Sequence, residues 1–219
     1  MNRIEIKKIA KSKIKGNIWN ILWPMLVISV LYGILYNIFN LNPYSSIDIT
    51  NLEAMANVNI SVKAEIGSAI LGIVFGIIGA GYKKYILNFT RNGKFEINDI
   101  INTLKEKWLN ILIAVILVTI VVSIGMILFI IPGIILSLAL SMAVFLVIDT
   151  DISGSDSLKE SWDMMKGYKW DYFVFILSFI GWILLIPLTF GLILIWLQPY
   201  MTVANTLYYD KLKEITSKK

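Results

Sequence analysis

The sequence predicts an all-α, polytopic membrane helix bundle with about six transmembrane helices and both termini inside (N-in/C-in). Three observations carry this. Of 219 residues, 57% are hydrophobic and only 16% are charged. A soluble domain carries about 25% charged and 45–50% apolar residues. The apolar residues also fall into long stretches without charge, and mean hydropathy is +0.73. Finally, the basic residues sit almost entirely on alternate sides of those stretches. Helices are expected because a chain crossing lipid must satisfy its own backbone hydrogen bonds.

The charge-free intervals place the elements. Residues 16–47 form an interval of 32, 66–82 of 17, 108–148 of 41 and 172–209 of 38. A spanning helix needs about 20 residues. The first interval therefore holds one span, near 19–39, read as an uncleaved anchor. The second holds one near 66–89, with Lys83 and Lys84 snorkelling. The third is too long for one helix and splits at Pro132-Gly133 into 108–130 and 132–148. The fourth splits at Pro187 and Gly191 into 172–186 and 190–208, the former being the shortest span. The chain thus reads as a basic cytoplasmic helix at 1–18, one transmembrane domain at 19–210 and a cytoplasmic tail at 211–219. Residues 40–65 are the one sizeable external loop.

Orientation follows from Lys and Arg. Nineteen of the 20 lie in the N-terminal segment, the loops after the second and fourth spans, and the tail; Lys63 alone lies opposite. Positive residues stay inside, which puts both termini in the cytoplasm. The net charge of +5 then speaks for anionic membrane lipid at the cytoplasmic face rather than nucleic acid. Ile6, Ala10, Ile14 and Ile18 recur every four residues among Lys7, Lys8, Lys11 and Lys15. That pattern predicts an amphipathic helix on the inner leaflet. Trp19, Trp23, Trp108, Trp170, Tyr172 and Tyr208 fall at span ends, as an interfacial aromatic belt would.

Cys and His are both absent. Zinc sites built on them, thiol nucleophiles and Ser–His–Asp triads are therefore excluded within one chain. There is no phosphate loop, H-E-x-x-H or G-x-S-x-G. The expectation is a protein that is not an enzyme and carries no cofactor. A lipid-headgroup enzyme using the acidic residues at the cytoplasmic edge is a further alternative.

Three constellations remain. Ser68, Gly72, Gly76 and Ala80 put four small residues on one helix face, for packing within the chain or between two copies. Gln198, Thr202 and Asn205 form a polar face on the last span, for interhelical hydrogen bonds or a substrate path. Asp149, Asp151, Ser153 and Glu160 match a calcium-loop spacing, with Gly154 at the sharp turn, but Asp156 stands where such loops place an apolar residue. The other reading there is a polar turn capped by Ser155 or Asp156, opening a short helix with Leu158, Trp162 and Met165 on its buried face. No metal is expected.

Several stretches together resemble a bacterial membrane family, the domain of unknown function 975 family. They are Glu5-Ile-Lys-Lys-Ile-Ala-Lys, Lys15-Gly16-Asn17-Ile-Trp19, Ile131-Pro132-Gly133-Ile134, Ser161 with Met165 to Trp170, Ser178 to Trp182, and Gln198-Pro199-Tyr200. The stretch from Ile131 to Trp170 is also similar to the membrane domain of some glycerophosphodiester phosphodiesterases, whose catalytic domain is missing here. The resemblance implies a multi-spanning bacterial membrane protein with no established reaction. The leading expectation is an accessory or scaffold protein of the bacterial cell membrane, with membrane lipid and a membrane-protein partner. The alternatives are a small transporter or a self-protection (immunity-type) protein.

Overall fold

A computed structural model describes residues 2–42 and 61–218. The expectation of an external loop falls mostly on 43–60, outside the described residues. The described chain is a helix bundle. Helix α1 (Arg3–Ile14) is followed by α2 (Ile18–Ile38), α3 (Val62–Asn92), α4 (Asn98–Leu128), α5 (Ile130–Ala139) and α6 (Ala143–Asp149). Then come α7 (Asp156–Met164), α8 (Lys169–Leu177), the single turns α9 (Ile180–Ile183) and α10 (Leu185–Leu188), and α11 (Leu194–Thr216). The start of α1 and the last turns of α11 lie at one end of the bundle, where Asn2, Glu5, Asp210 and Glu214 line one cleft. We call this the charged end.

Among the described residues, five stretches are long and apolar enough to cross a membrane: Ile18–Ile38, Val62–Asn92, Asn98–Leu128, Ile130–Asp149 and Lys169–Leu188. The sixth expected span is not among them. Its helix, α11, is instead the axis of the bundle, packed against α1, α2 and α3. Leu197, Tyr200, Val203, Ala204, Tyr208, Tyr209 and Leu212 are all buried. A helix surrounded by protein need not be uniformly apolar, because its neighbours rather than lipid receive its polar groups.

The N-terminal helix also differs from expectation. Ile6, Ala10 and Ile14 are buried, and they join the bundle core. The apolar face of α1 is therefore covered by protein, chiefly by α11, and not by lipid. Asn2 starts the helix: its side chain accepts the Glu5 N–H at 3.2 Å.

The two proline signals end spans in different ways. At Phe129 the backbone is extended, and α4 and α5 form a tight hairpin. Pro132 sits in the first turn of α5, where a missing N–H costs little. A Cβ at Gly133 would lie 2.7 Å from the Met126 backbone nitrogen, so only glycine fits this crossing. The fifth span, by contrast, is a broken helix. Phe179 N–H bonds Ile176, and Trp182 N–H bonds Phe179, three residues back instead of four.

Helix α7 buries a face the sequence reading missed. Ser157, Ser161 and Met164 point inward, while Trp162 is exposed beneath Lys169, whose Nζ lies 3.8 Å from the ring centroid. Small serines win that face because α7 fills the break between α5 and α6. Ser161 Oγ donates to the Ala139 carbonyl at 2.8 Å and accepts the Met142 N–H at 3.2 Å.

Candidate functional site

The charges of the charged end converge on Asp149, the last residue of α6. Its side chain is 3% exposed. Both guanidinium arms of Arg91, near the end of α3, donate to it, one at 2.9 Å. Tyr209 donates its hydroxyl at 2.9 Å, and Lys213 adds an ammonium. Arg91 also holds Asp210 through Nε at 3.0 Å and Nη2 at 2.6 Å. Two cations thus meet two carboxylates, and the cluster ties α3, α6 and α11 together. Buried carboxylates persist only when paired and hydrogen-bonded in this way.

A second pairing lies alongside. Asp171 accepts the Tyr208 hydroxyl at 3.0 Å and faces Arg3 at 3.5 Å, linking α8, α11 and α1. The Tyr172 and Tyr208 rings pack in a tilted contact with centroids 4.8 Å apart, and both are buried. Neither is a belt residue, which corrects the sequence reading; Trp19, Trp23, Trp108 and Trp170 are exposed as a belt requires.

Beside Asp149 opens a cleft of about 600 Å³. Leu146, Ile152 and Met164 make its apolar floor; Glu160, Asp163, Lys166 and Lys213 stand on its rim. Lys166 beside Asp163 holds that carboxyl below the usual carboxylate range. Further along α11, Lys211 and Lys218 pull the Glu214 carboxyl down to about 2. Asp163 therefore stays ionised at neutral pH, and beside Lys166 it offers charge and hydrogen bonding rather than an acid or base poised to transfer a proton.

The calcium spacing does not form a loop. Asp149 is occupied by Arg91, Lys213 and Tyr209, while Asp151 points to solvent and pairs with Lys107 at 3.1 Å. Glu160 is exposed on α7. Among the described residues no group of three acidic side chains is placed to hold a metal. Ser153, not Ser155 or Asp156, caps α7: its Oγ accepts the Asp156 N–H at 3.1 Å and donates to the Asp156 carboxylate at 2.6 Å. Gly154 is buried against α4, where a Cβ would lie 3.0 Å from the Ala114 nitrogen and closer still to the Asn110 carbonyl.

The small-residue face divides. Ala80 is buried and Gly76 faces Val115 of α4, whereas nothing lies within 4 Å of a Cβ at Gly72. Ser68 turns its hydroxyl back to the Glu65 carbonyl at 2.8 Å. Of the polar face on α11, Asn205 accepts the Tyr172 hydroxyl at 3.3 Å, and the Thr202 carbonyl accepts from Thr206. Gln198 is half-buried. None of the three lines the cleft beside Asp149 or the one between Asn2 and Glu214.

The Asp149 cluster escaped the sequence reading, although a signal was present. Asp149 and Asp210 each close a long charge-free interval, so both mark one depth at the charged end. Arg91, one of only two arginines, follows the second span to the same depth.

Residues 119–216, from the middle of α4 through α11, match a family described as Protein of unknown function (DUF975). The matched segment holds Asp149, nearly all of the cleft and the whole of α11, so the resemblance read from the sequence stands over 119–216; the N-terminal stretches lie outside the match. No curated protein and no solved structure matches the chain. The likeness to the glycerophosphodiester phosphodiesterase membrane domain therefore finds no support in these comparisons.

Proposed function

We propose that this protein is a non-enzymatic accessory or scaffold protein of the bacterial cell membrane. It is multi-pass, with its charged end in the cytoplasm and in contact with anionic lipid. It holds a partner protein at the cleft beside Asp149. One observation carries the reading: the cleft joins an apolar floor to a rim of both signs, while the strongest charges next to it neutralise one another. Such a surface suits a protein contact with a dry centre and a polar rim. The transporter reading lacks comparable support, since Gln198, Thr202 and Asn205 line none of these clefts.

The test is a photo-crosslinking amino acid at Lys166, on the rim, in cells that express the protein natively. One discrete protein adduct is expected, and the pair Glu160→Lys and Asp163→Lys should abolish it without lowering protein level. An adduct indifferent to that pair, or none at all from a particle that purifies alone in nanodiscs, overturns the proposal.

A further inference from the structure

On one flank of α1, beside its buried face, lies a second cleft, of about 380 Å³, lined by Ile4, Lys7, Lys8, Lys11 and Tyr200. It is unlike the rest of the charged end. Three ammonium groups line it and no carboxylate does. Arg3, Arg91, Lys107, Lys166, Lys211, Lys213 and Lys218 have acidic partners; these three lysines, like Lys13, Lys15, Lys83 and Lys84, have none among the described residues, and what sets them apart is that they gather in one cleft.

Two of the lysines, Lys7 and Lys11, are nonetheless held in place. Lys7 Nζ donates to the Ser178 carbonyl at 3.1 Å and to Ser178 Oγ at 3.0 Å. It also lies 4.6 Å from the Phe179 ring centroid. An ammonium has three donors, so one remains. Lys11 Nζ sits 5.8–5.9 Å from the rings of Trp182, Trp196 and Tyr200 and makes no hydrogen bond among the described residues. Burial, and then the charge of Lys11, lower the Lys7 pKa, as fits a cation without a counter-ion.

Position decides what the missing anion is. Past Trp182 and before Trp196 the chain turns through Leu184, Leu188, Phe190 and Leu192, all well exposed; Leu188 is 74% and Phe190 96% exposed. No charged residue occurs between Asp171 and Asp210. The lysines and the two indoles therefore stand where polar surface gives way to purely apolar surface, the level of lipid headgroups. We propose that Lys7, Lys8 and Lys11 form a binding site for the phosphate of an anionic glycerophospholipid, whose acyl chains lie along the exposed residues of 184–192. The site rests on the membrane reading above, but not on the partner cleft.

The test is native mass spectrometry of the whole protein in neutral detergent, titrated with phosphatidylglycerol and, separately, phosphatidylcholine. One phosphatidylglycerol should bind in clear preference to phosphatidylcholine. Lys7→Gln with Lys11→Gln should weaken it about tenfold per lysine, the size of one charge-assisted hydrogen bond. Lys13→Gln with Lys15→Gln removes the same charge from the same helix outside the cleft and should leave binding nearly unchanged. Lys7→Arg with Lys11→Arg should retain it. If the Gln pair fails to fold, the exposed Lys8→Gln alone carries the test. Equal losses from both pairs would mean diffuse charge and overturn the site. So would displacement of the lipid by millimolar inorganic phosphate, which would mark a site for free phosphate. Loss of lipid preference would leave the crosslinking result at Lys166 untouched, so the two proposals fail separately.

Discussion

Replacing Asp149 by Ala tests whether the cluster holds the charged end together. The side chain is 3% exposed and receives two bonds from Arg91, one from Tyr209 and one from Lys213. Removing one partner of a buried ion pair costs about 3–5 kcal/mol, because the remaining charge stays buried and unpaired. Here the survivors are less trapped: the Arg91 and Lys213 side chains are 34% and 37% exposed, and Arg91 keeps Asp210. The expected loss is therefore at the lower end, about 3 kcal/mol. Asp149→Leu combined with Arg91→Met removes both charges and should cost less than the two single changes added together. The assay is reversible unfolding by SDS in mixed micelles, with Asp151→Ala as the control. Asp151 is fully exposed, so that change should be silent. Equal effects of Asp149→Ala and Asp151→Ala, or a loss below about 1 kcal/mol for the former, would refute the reasoning.

Three further outcomes follow from close contacts. Gly154→Ala drives a Cβ into the Asn110 carbonyl and should cost about 1–3 kcal/mol, read as a lower thermal midpoint and faster tryptic cleavage at Lys159. Gly133→Ala meets the Met126 backbone at 2.7 Å and should cost at least as much, because backbone on both sides of the α4–α5 hairpin must move. Ser161→Ala strands the Ala139 carbonyl and the Met142 N–H at the break between α5 and α6. It should destabilise by about 1–3 kcal/mol in the SDS assay, and an unchanged midpoint would show that the break closes by itself.

How far the sequence could be read depended on the length scale of each signal. Five of the six expected spans were legible because each needs only about 20 apolar residues in a row. The hairpin at Pro132 was legible for the same reason: a charge-free interval of 41 residues has to turn, and Pro-Gly offers the place. Periodicity also found α1 and its buried residues Ile6, Ala10 and Ile14. It did not find what covers them, since lipid and a protein helix present the same apolar surface. The buried face of α7 went to serines because a hydrogen bond to a broken helix outweighed the larger apolar area of Trp162. Of the cleft beside Asp149, the charged rim residues were visible as a polar helix, but nothing in their spacing brings Lys213 beside them.

By itself, then, the sequence determined an all-helical membrane bundle, the places where it turns, and a basic face at the charged end. Those properties follow from what lipid excludes, and lipid acts on each segment separately. The tertiary structure alone decided which helix occupies the centre, and that Asp149 meets Arg91 and Lys213 from 58 and 64 residues away. It also decided that Lys7, Lys8 and Lys11 gather in one cleft without an acidic partner among the described residues. Pairing of charges across helices depends on how the helices are rotated and crossed, and no segment carries that information on its own.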